Sequence, residues 1–411
     1  VKLPEDVIHL FEQPGNPLDR HPTWKNVPCP QCGQEAQRET DTMDTFMESS
    51  WYFLRYCSPK LTTAPLDRKQ VDYWMPVDQY VGGVEHAVMH LLYARFFHKA
   101  LRDVGEVGCN EPFTRLLTQG MVRKDTHRCP IHGWRYPYES TERNGLLYCV
   151  ECDSPIEIGR NEKMSKSKHN VVDPNDIIQG YGADTARIFM LFAAPPEQDL
   201  EWSDSGVDGA WRFLNRLWRL IHLIAERMEP GVSPSTTMPV DAALRAIKTK
   251  THETIDKVTR DMARFQFNTA ISAVMELVNT GTSFLHQAET LNPEASAILR
   301  ELAEVAITLL NPFAPHMTEE LWEGALGKTT PLYQTSWPQV DPEALTKEEV
   351  TVVVQVNGKL RARIVVPADA TTDMQEALAM ADPNIQLHLT NKTVLKMITL
   401  PGRLINIVIR P

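Results

Sequence analysis

Between Asp208 and about Gly327 apolar residues return every three or four positions, and that rhythm commits the stretch to helices. Trp211, Leu214, Trp218 and Ile221 follow 3-4-3 spacing, which sets them on one face. The run from Thr237 predicts two helices, broken near Arg264–Asn268 and ending at Gly281. Asn292 to Leu326 predicts two more, separated at Pro312 and Pro315. A helix with one apolar stripe must bury it against others, so about five such helices predict a bundle over 208–338.

Beyond Pro338 the period shortens. "VTVVVQVNGKLRARIVVP" is two β-rich runs around Asn357-Gly358, a strong hairpin signal. "TTDMQEALAMAD" predicts a capped helix, and "VLKMITLPGRLINIVI" a second strand pair around Pro401-Gly402. Residues 345–411 therefore predict a small α+β domain.

Upstream, Pro14, Pro17, Pro22, Pro28 and Pro30 make the first 60 residues loop-rich. The opening "VKLPEDVIHLF" reads as strand and loop, compatible with a natural start, a fragment or a split subunit. Val77 to Val81 predicts a strand, Gly82-Gly83 a tight turn and Val84 to Leu101 a long helix, together an α/β unit. "EPFTRLLTQGMV" predicts a further strand and loop. Residues 123–160 are polar and cysteine-bearing, as an inserted module would be.

A length of 411 residues exceeds one ordinary core, which fits this multidomain organisation. No apolar run is long enough to span a membrane and no signal peptide is visible, so no membrane partner is expected. The net charge of -11 argues against a general nucleic-acid coat but leaves room for a local basic face. Seven cysteines without a secretory framework point to a reducing, cytoplasmic compartment.

Three motifs carry chemistry. Lys163 and Lys166 stand three apart in the short polar loop "NEKMSKSKHN". Such loops are often merely solvated. Two compact ammonium groups on a movable loop also suit the triphosphate of ATP, with charge growing on pyrophosphate as it leaves. Cys129-Pro-Ile-His132 and Cys149-Val-Glu-Cys152 form two knuckles with 16 residues between them, a ligand set for one tetrahedral structural zinc; the alternative is a reduced, metal-free loop. Cys29-Pro-Gln-Cys32 is half of such a site, and Cys57 and Cys109 read as packing residues. His86 and His90 lie four apart, one helical turn. Zinc hydrolases share that spacing, but here Glu85 precedes the first histidine and cannot be the usual base.

"KMSKS" followed by "HNVVDPNDIIQGYGADTAR" resembles the second signature of the class I aminoacyl-tRNA synthetases. "DTMDTFMESSWYFLRY", "YVGGVEHAVMHLLYARF", "LLTQGMV" and "QVNGKLRARI" resemble, in order, the bacterial type of leucyl-tRNA synthetase. The fold class implied is multidomain α/β plus all-α. It comprises the second half of a Rossmann-like catalytic fold (1–122), a zinc-ribbon-like leucyl-specific insertion (123–160), a KMSKS loop and stem-contact region (161–207), the anticodon-binding-type bundle and the C-terminal α+β domain. The His-x-Gly-His signature and the editing domain are absent from the sequence, so the resemblance is to the part after the editing insertion.

The resemblance implies activation of leucine by ATP with Mg2+ and transfer to tRNA(Leu), with the N-terminal half of the enzyme as a required partner. It implies that Lys163 and Lys166 are the catalytic lysines, with Met164, Ser165 and Ser167 on the same loop. Gly82, Gly83, Glu85, His86 and His90 would line the adenylate and leucine site, with Gln119 and Gly120 closing it. Glycines allow close backbone approach, which fits that role. Arg212, Arg216 and Arg219 recur at 4-3 spacing, and Lys359, Arg361 and Arg363 alternate along one strand. Either set is a solvated face or a phosphate-contacting tRNA surface. Lys359, Arg361 and Arg363 with Lys392, Lys396, Arg403 and Arg410 make the last 60 residues locally basic. The rival function is a non-catalytic tRNA-binding or assembly module.

Overall fold

The computed structural model describes residues 3–12, 14–229, 231–235, 237–346, 349–390 and 392–410. The chain divides into two compact units, Val1–Met121 and Val122–Pro411. Among the described residues no helix is long and apolar enough to cross a membrane.

The first unit opens with a 3-10 helix at Glu5–Glu12, where the sequence suggested strand and loop. A short antiparallel hairpin follows, β1 (Asn26–Pro28) with β2 (Glu35–Gln37). Helix α1 (Arg68–Trp74) is capped by the Asp67 carboxylate, which accepts from the Lys69 amide. Strands β3 (Tyr80–Gly83) and β4 (Leu116–Gln119) pair in parallel, with helix α2 (His90–Asp103) in the connection between them. Phe53, Leu54, Val71, Met75, Ala94 and Val107 form the core beneath.

Two expectations fail here. Gly82-Gly83 is not a turn: both residues continue β3, opposite Thr118 and Gln119. The helix does not begin at Val84, where a 3-10 turn runs only to His86 and α2 starts at His90. Met89, before α2, has φ -86 and ψ -84 and offers no side-chain cap.

The second unit is built outward from β5 (Val122–Cys129). It pairs antiparallel with β6 (Gly133–Arg135) at its far end, while β7 (Ser140–Arg143) and β8 (Leu146–Cys149) form a separate hairpin. On β5 also lies β9 (Glu157–Lys163), antiparallel, with Lys163 opposite Arg123. Helices α3 (Pro174–Tyr181) and α4 (Ala183–Phe192) follow, and β10 (Leu200–Glu201) returns to pair in parallel with Val122 and Arg123.

Helices α5 (Asp204–Arg227), α6 (Ala242–Ala263), α7 (Phe267–Gln287), α8 (Pro293–Leu310) and α9 (Pro315–Glu320) form the bundle. Its core takes in Ile188 and Phe189 of α4 as well as Leu217, Val274, Leu277, Leu302 and Ala306. The apolar face of α5 is Val207, Ala210, Phe213, Leu214, Leu217, Leu220, Ile221 and Ile224. Leu214 and Ile221 thus lie where their spacing put them, but Trp211 and Trp218 stand exposed on its flank. Helix α7 does not stop at Gly281. That glycine is buried mid-helix, and a Cβ there would come within 3.2 Å of Leu302. Its smallness serves close helix packing rather than termination.

The C-terminal sheet has strand order β12-β11-β14-β13: β11 (Glu349–Val356), β12 (Lys359–Pro367), β13 (Thr393–Leu400) and β14 (Leu404–Arg410). Asn357 and Gly358 both take positive φ, as a type I′ hairpin turn requires. Helices α10 (Thr372–Ala381) and α11 (Pro383–Leu389) cover one face, where Val352, Val354, Ile364, Val366, Ile405 and Ile407 are buried with Ala379 and Ile385.

Candidate functional site

In the first unit the histidines stand in different elements, His86 closing the 3-10 turn and His90 opening α2. Their rings lie 6.4 Å apart and nearly perpendicular. Among the described residues they join no group of three or more metal ligands. His90 instead ends a hydrogen-bonded chain: its Nε2 is 2.6 Å from the Tyr80 hydroxyl, itself 2.6 Å from the Tyr52 hydroxyl. Burial, then the neighbouring His86, holds His90 below the usual imidazole range. Burial and the Tyr52 hydrogen bond push the Tyr80 phenol up. The Tyr80 ring stacks on Phe113 at 3.8 Å. Gly82, Gly83, Gln119 and Gly120 lie at or just beyond the C-terminal ends of β3 and β4, and Glu85 lies within the 3-10 turn. Ligands of open α/β sheets bind at those strand ends.

In the second unit β5 delivers Cys129 to one knuckle and β8 delivers Cys149 to the other. Cys129 Sγ is 3.5 Å from Cys152 Sγ, and His132 Nδ1 is 3.7 Å from Cys129 Sγ and 3.5 Å from Cys149 Sγ. Ligands at about 2.0–2.3 Å from a tetrahedral zinc stand roughly 3.5–3.8 Å from each other, so these separations are edges of a tetrahedron of the right size. All four ligand atoms lie within 4.8 Å of one another. The other ring nitrogen of His132 faces the Glu151 carboxylate at 3.5 Å, a common partner of a metal-ligating imidazole. Bonds from Ser154 lower the Cys152 thiol to about 6, while burial raises Cys149. The set fits one structural zinc.

Cys29 and Cys32 lie within the β1–β2 turn, where amides of Cys32 and Gln31 lower the Cys29 thiol. No third ligand joins them among the described residues.

The lysine loop leaves the end of β9. The Met164 amide donates to the Val122 carbonyl at 3.1 Å, and Ser165 Oγ caps a 3-10 turn, Lys166–Lys168. Asn170, buried, fastens both ends of the loop. Its Oδ1 accepts from the Ser165 amide at 2.8 Å, and its Nδ2 donates to carbonyls of Lys124, Glu162 and Lys163. Lys168 pairs with Glu162. Lys163, Lys166 and Ser167 are exposed, with Met164 and Ser165 half-buried. The backbone is held while Lys166 stands exposed on the turn, an arrangement able to meet a polyanion.

Asn170, Tyr52 and Tyr80 were not among the residues singled out from sequence. Asn170 carries no local signal of its role, because one of its partners, the Lys124 carbonyl, lies 46 residues upstream. The two tyrosines come together only in the fold.

Arg212 and Arg219 are exposed on α5 and Arg216 is half-buried. Lys359, Arg361 and Arg363 are exposed on β12, an edge strand, alternating with buried Ala362 and Ile364.

Two family models match the chain. Residues 149–203 match the class I tRNA synthetases (I, L, M and V), and residues 245–376 the anticodon-binding domain of tRNA ligase. The chain is 61% identical to leucine–tRNA ligase of Magnetococcus marinus, over 99% of this chain and 47% of that protein. Against leucine–tRNA ligase of Syntrophus aciditrophicus the identity is 51%, over 100% and 47%. A crystal structure of Agrobacterium radiobacter K84 agnB2 LeuRS, in ternary complex with tRNA and LeuAMS, is 32% identical and superposes with a TM-score of 0.77. It is matched over 97% of this chain and 47% of that one. The chain spans about half the length of the curated relatives it matches.

Proposed function

The chain belongs over its whole length to the leucine–tRNA ligase family, matching the C-terminal part of its members, and on that premise we propose that it serves an enzyme joining leucine to tRNA(Leu). The observation that carries the proposal is the 61% identity sustained over 99% of the chain. In this reading 1–122 is the second half of the catalytic domain, 123–160 a metal-braced insertion and 161–207 the lysine loop with its stem-contact region. The bundle and the C-terminal sheet bind tRNA.

The reaction has two stages. The leucine carboxylate attacks the α-phosphate of ATP and pyrophosphate leaves; a ribose hydroxyl of the terminal adenosine of tRNA then attacks the leucyl carbonyl of the adenylate, and AMP leaves. Positioning and charge stabilisation carry the first stage. Lys166, and to a lesser degree Lys163, neutralise the departing phosphates, while Met164, Ser165 and Ser167 shape the loop around them. Gly82, Gly83, Glu85, His86 and His90 line the adenylate and leucine site, and Gln119 and Gly120 close it. A neutral His90, bonded to Tyr80, gives that site a fixed polar wall. Mg2+ would arrive with ATP, and zinc held by Cys129, His132, Cys149 and Cys152 would be structural.

A second polypeptide segment is needed to complete the first unit. Leu92, Tyr93 and Phe96 stand exposed along α2, and Val81 and Leu116 are exposed on β3 and β4. A parallel pair normally lies covered on both faces within a larger sheet. The N-terminal half of the same enzyme is the occupant proposed.

Leucine-dependent ATP–pyrophosphate exchange tests the reading, with the chain alone and with the N-terminal half of a close relative. Exchange appearing only on combination supports it. An inactive combination that forms a stable complex and still binds tRNA would leave the chain a binding module.

A further inference from the structure

The lysine loop is braced from a side that its own sequence does not reveal. His169, which ends the Lys166–Lys168 turn in a left-handed conformation, lays its ring on Tyr136 at 4.2 Å, with 7° between the planes. Tyr136 in turn stacks on Tyr138 at 5.2 Å, again at 7°. One residue earlier in the loop, the Lys168 ammonium lies 5.9 Å from the Trp134 ring centroid. Trp134 and Tyr136 follow the knuckle ligand His132 by two and four residues, on and just after β6. The partner strand β5 runs from Val122, which binds the loop at Met164, to the knuckle ligand Cys129. The knuckles and the loop are thus two ends of one short sheet, bridged a second time by the ring stack.

We infer that Tyr136, through its stack on His169, is a positioning residue for the lysine loop, so that the knuckle module sets where Lys166 stands. The inference rests on the proposed role of Lys166 at the ATP phosphates. Near-parallel stacking of an aromatic pair stabilises the pair beyond its buried area, and a loop held at one more point samples fewer positions. Removing the ring while keeping the knuckles should loosen the loop without unfolding the module.

Hydrogen exchange of the 411-residue chain reads this directly, on peptides covering 161–172 and on bundle peptides as reference. Tyr136→Ala should speed exchange in the loop about two- to tenfold, the range expected for one aromatic pair. It should leave the bundle and the zinc content unchanged. Tyr136→Phe keeps the ring and should behave as wild type, and His169→Ala should match Tyr136→Ala. An unchanged loop in Tyr136→Ala, an equal effect of Tyr136→Phe, or faster exchange throughout the chain would overturn the inference. Adding ATP to the chain complemented with its N-terminal half separates the two readings. Protection of the loop by ATP with no effect of Tyr136→Ala sinks the positioning role alone. A Tyr136→Ala effect with no protection by ATP sinks the phosphate role alone.

Discussion

Asp184 and Arg187 stand three residues apart on α4 and grip opposite sides of one corner in the bundle. The Asp184 carboxylate accepts from the Met317 amide at 2.7 Å and from His316 Nδ1 at 2.9 Å, at the start of α9. Arg187 donates to the carbonyls of Phe313 at 3.0 Å and Pro312 at 2.8 Å, just past the end of α8. An anion thus meets a helix N-terminus and a cation the carbonyls after a C-terminus, each the favourable sign. Pro312 and Pro315 break the helix there and leave backbone groups that need partners. The segment following the lysine loop is in this way tied to the bundle.

The cap can be tested by stability. Asp184→Ala removes the acceptor of three donors at the start of α9, the His316 and Met317 amides and the His316 ring, and should cost about 1–2 kcal/mol in urea unfolding of the second unit. Asp184→Asn keeps an acceptor but not the charge and should fall between. Equal midpoints for wild type and Asp184→Ala would show that water replaces the cap without loss.

The knuckles predict a metal. Elemental analysis of the purified chain should find about one zinc, lost in Cys149→Ser. Zinc should also be released on acidification, because its sulfur ligands bind as thiolates. A chain purified without chelator that holds no zinc would end this reading.

His90 predicts a pH dependence. Burial, helped by His86, lowers its folded pKa, so near and below about 6.5 the unfolded chain binds a proton that the folded chain refuses. Its contribution is fully present above that pH and fades as pH falls toward the folded value. His98 and His127 are depressed by burial in the same direction and add to the loss. Denaturant unfolding at pH 7.5 and 5.5 should show a smaller drop for His90→Gln than for wild type. Identical drops would mean that His90 stays neutral in both states or charged in both.

Much of this was legible in the residues, and the misses share a cause. The hairpin at Asn357-Gly358 and the bundle follow from local rules, because turn chemistry and apolar period act over a few residues. The four knuckle ligands follow from spacing, because zinc has few geometries. Trp211, Trp218 and Gly281 mislead because a large side chain need not be buried and a glycine need not end a helix. Only the packed bundle tells which face α5 turns inward and why a glycine sits against Leu302. Gly82-Gly83 misled because a parallel partner, Thr118-Gln119, lies 36 residues downstream. Asn170, Tyr136 and the Asp184–Arg187 grip were out of reach for a similar reason: each acts on backbone or rings supplied by distant segments.

The edge strand β12 predicts a salt effect. Lys359, Arg361 and Arg363 point outward together on a chain that is acidic overall, which suits binding to phosphates rather than bases. Changing all three to Gln in the assembled enzyme should weaken tRNA binding and leave leucine activation unchanged. The log–log salt slope should fall by roughly 0.7–0.9 for each phosphate no longer neutralised. A weaker complex with an unchanged slope would mean that the strand acts through shape instead.

Lys166 carries the most specific expectation about chemistry. Its ammonium is exposed and makes no ion pair among the described residues, while Asn170 and Ser165 hold the backbone beneath it. An interaction that strengthens as pyrophosphate departs should be felt mainly in kcat. In the completed enzyme, Lys166→Ala should slow leucyl-adenylate formation roughly 10²–10³-fold, the loss of one strong oxyanion-type donor. Transfer from preformed adenylate should suffer far less, because no pyrophosphate leaves in that step. Lys166→Arg should recover only part of the rate, since a planar fork replaces a compact charge. Lys163→Ala should do less harm than Lys166→Ala, because Lys163 ends β9 rather than standing on the turn beyond it. Pyrophosphate exchange and single-turnover transfer, run side by side on these variants, decide the matter. Equal slowing of both steps by Lys166→Ala would point to a folding defect, and no slowing of either would leave the loop a solvated linker.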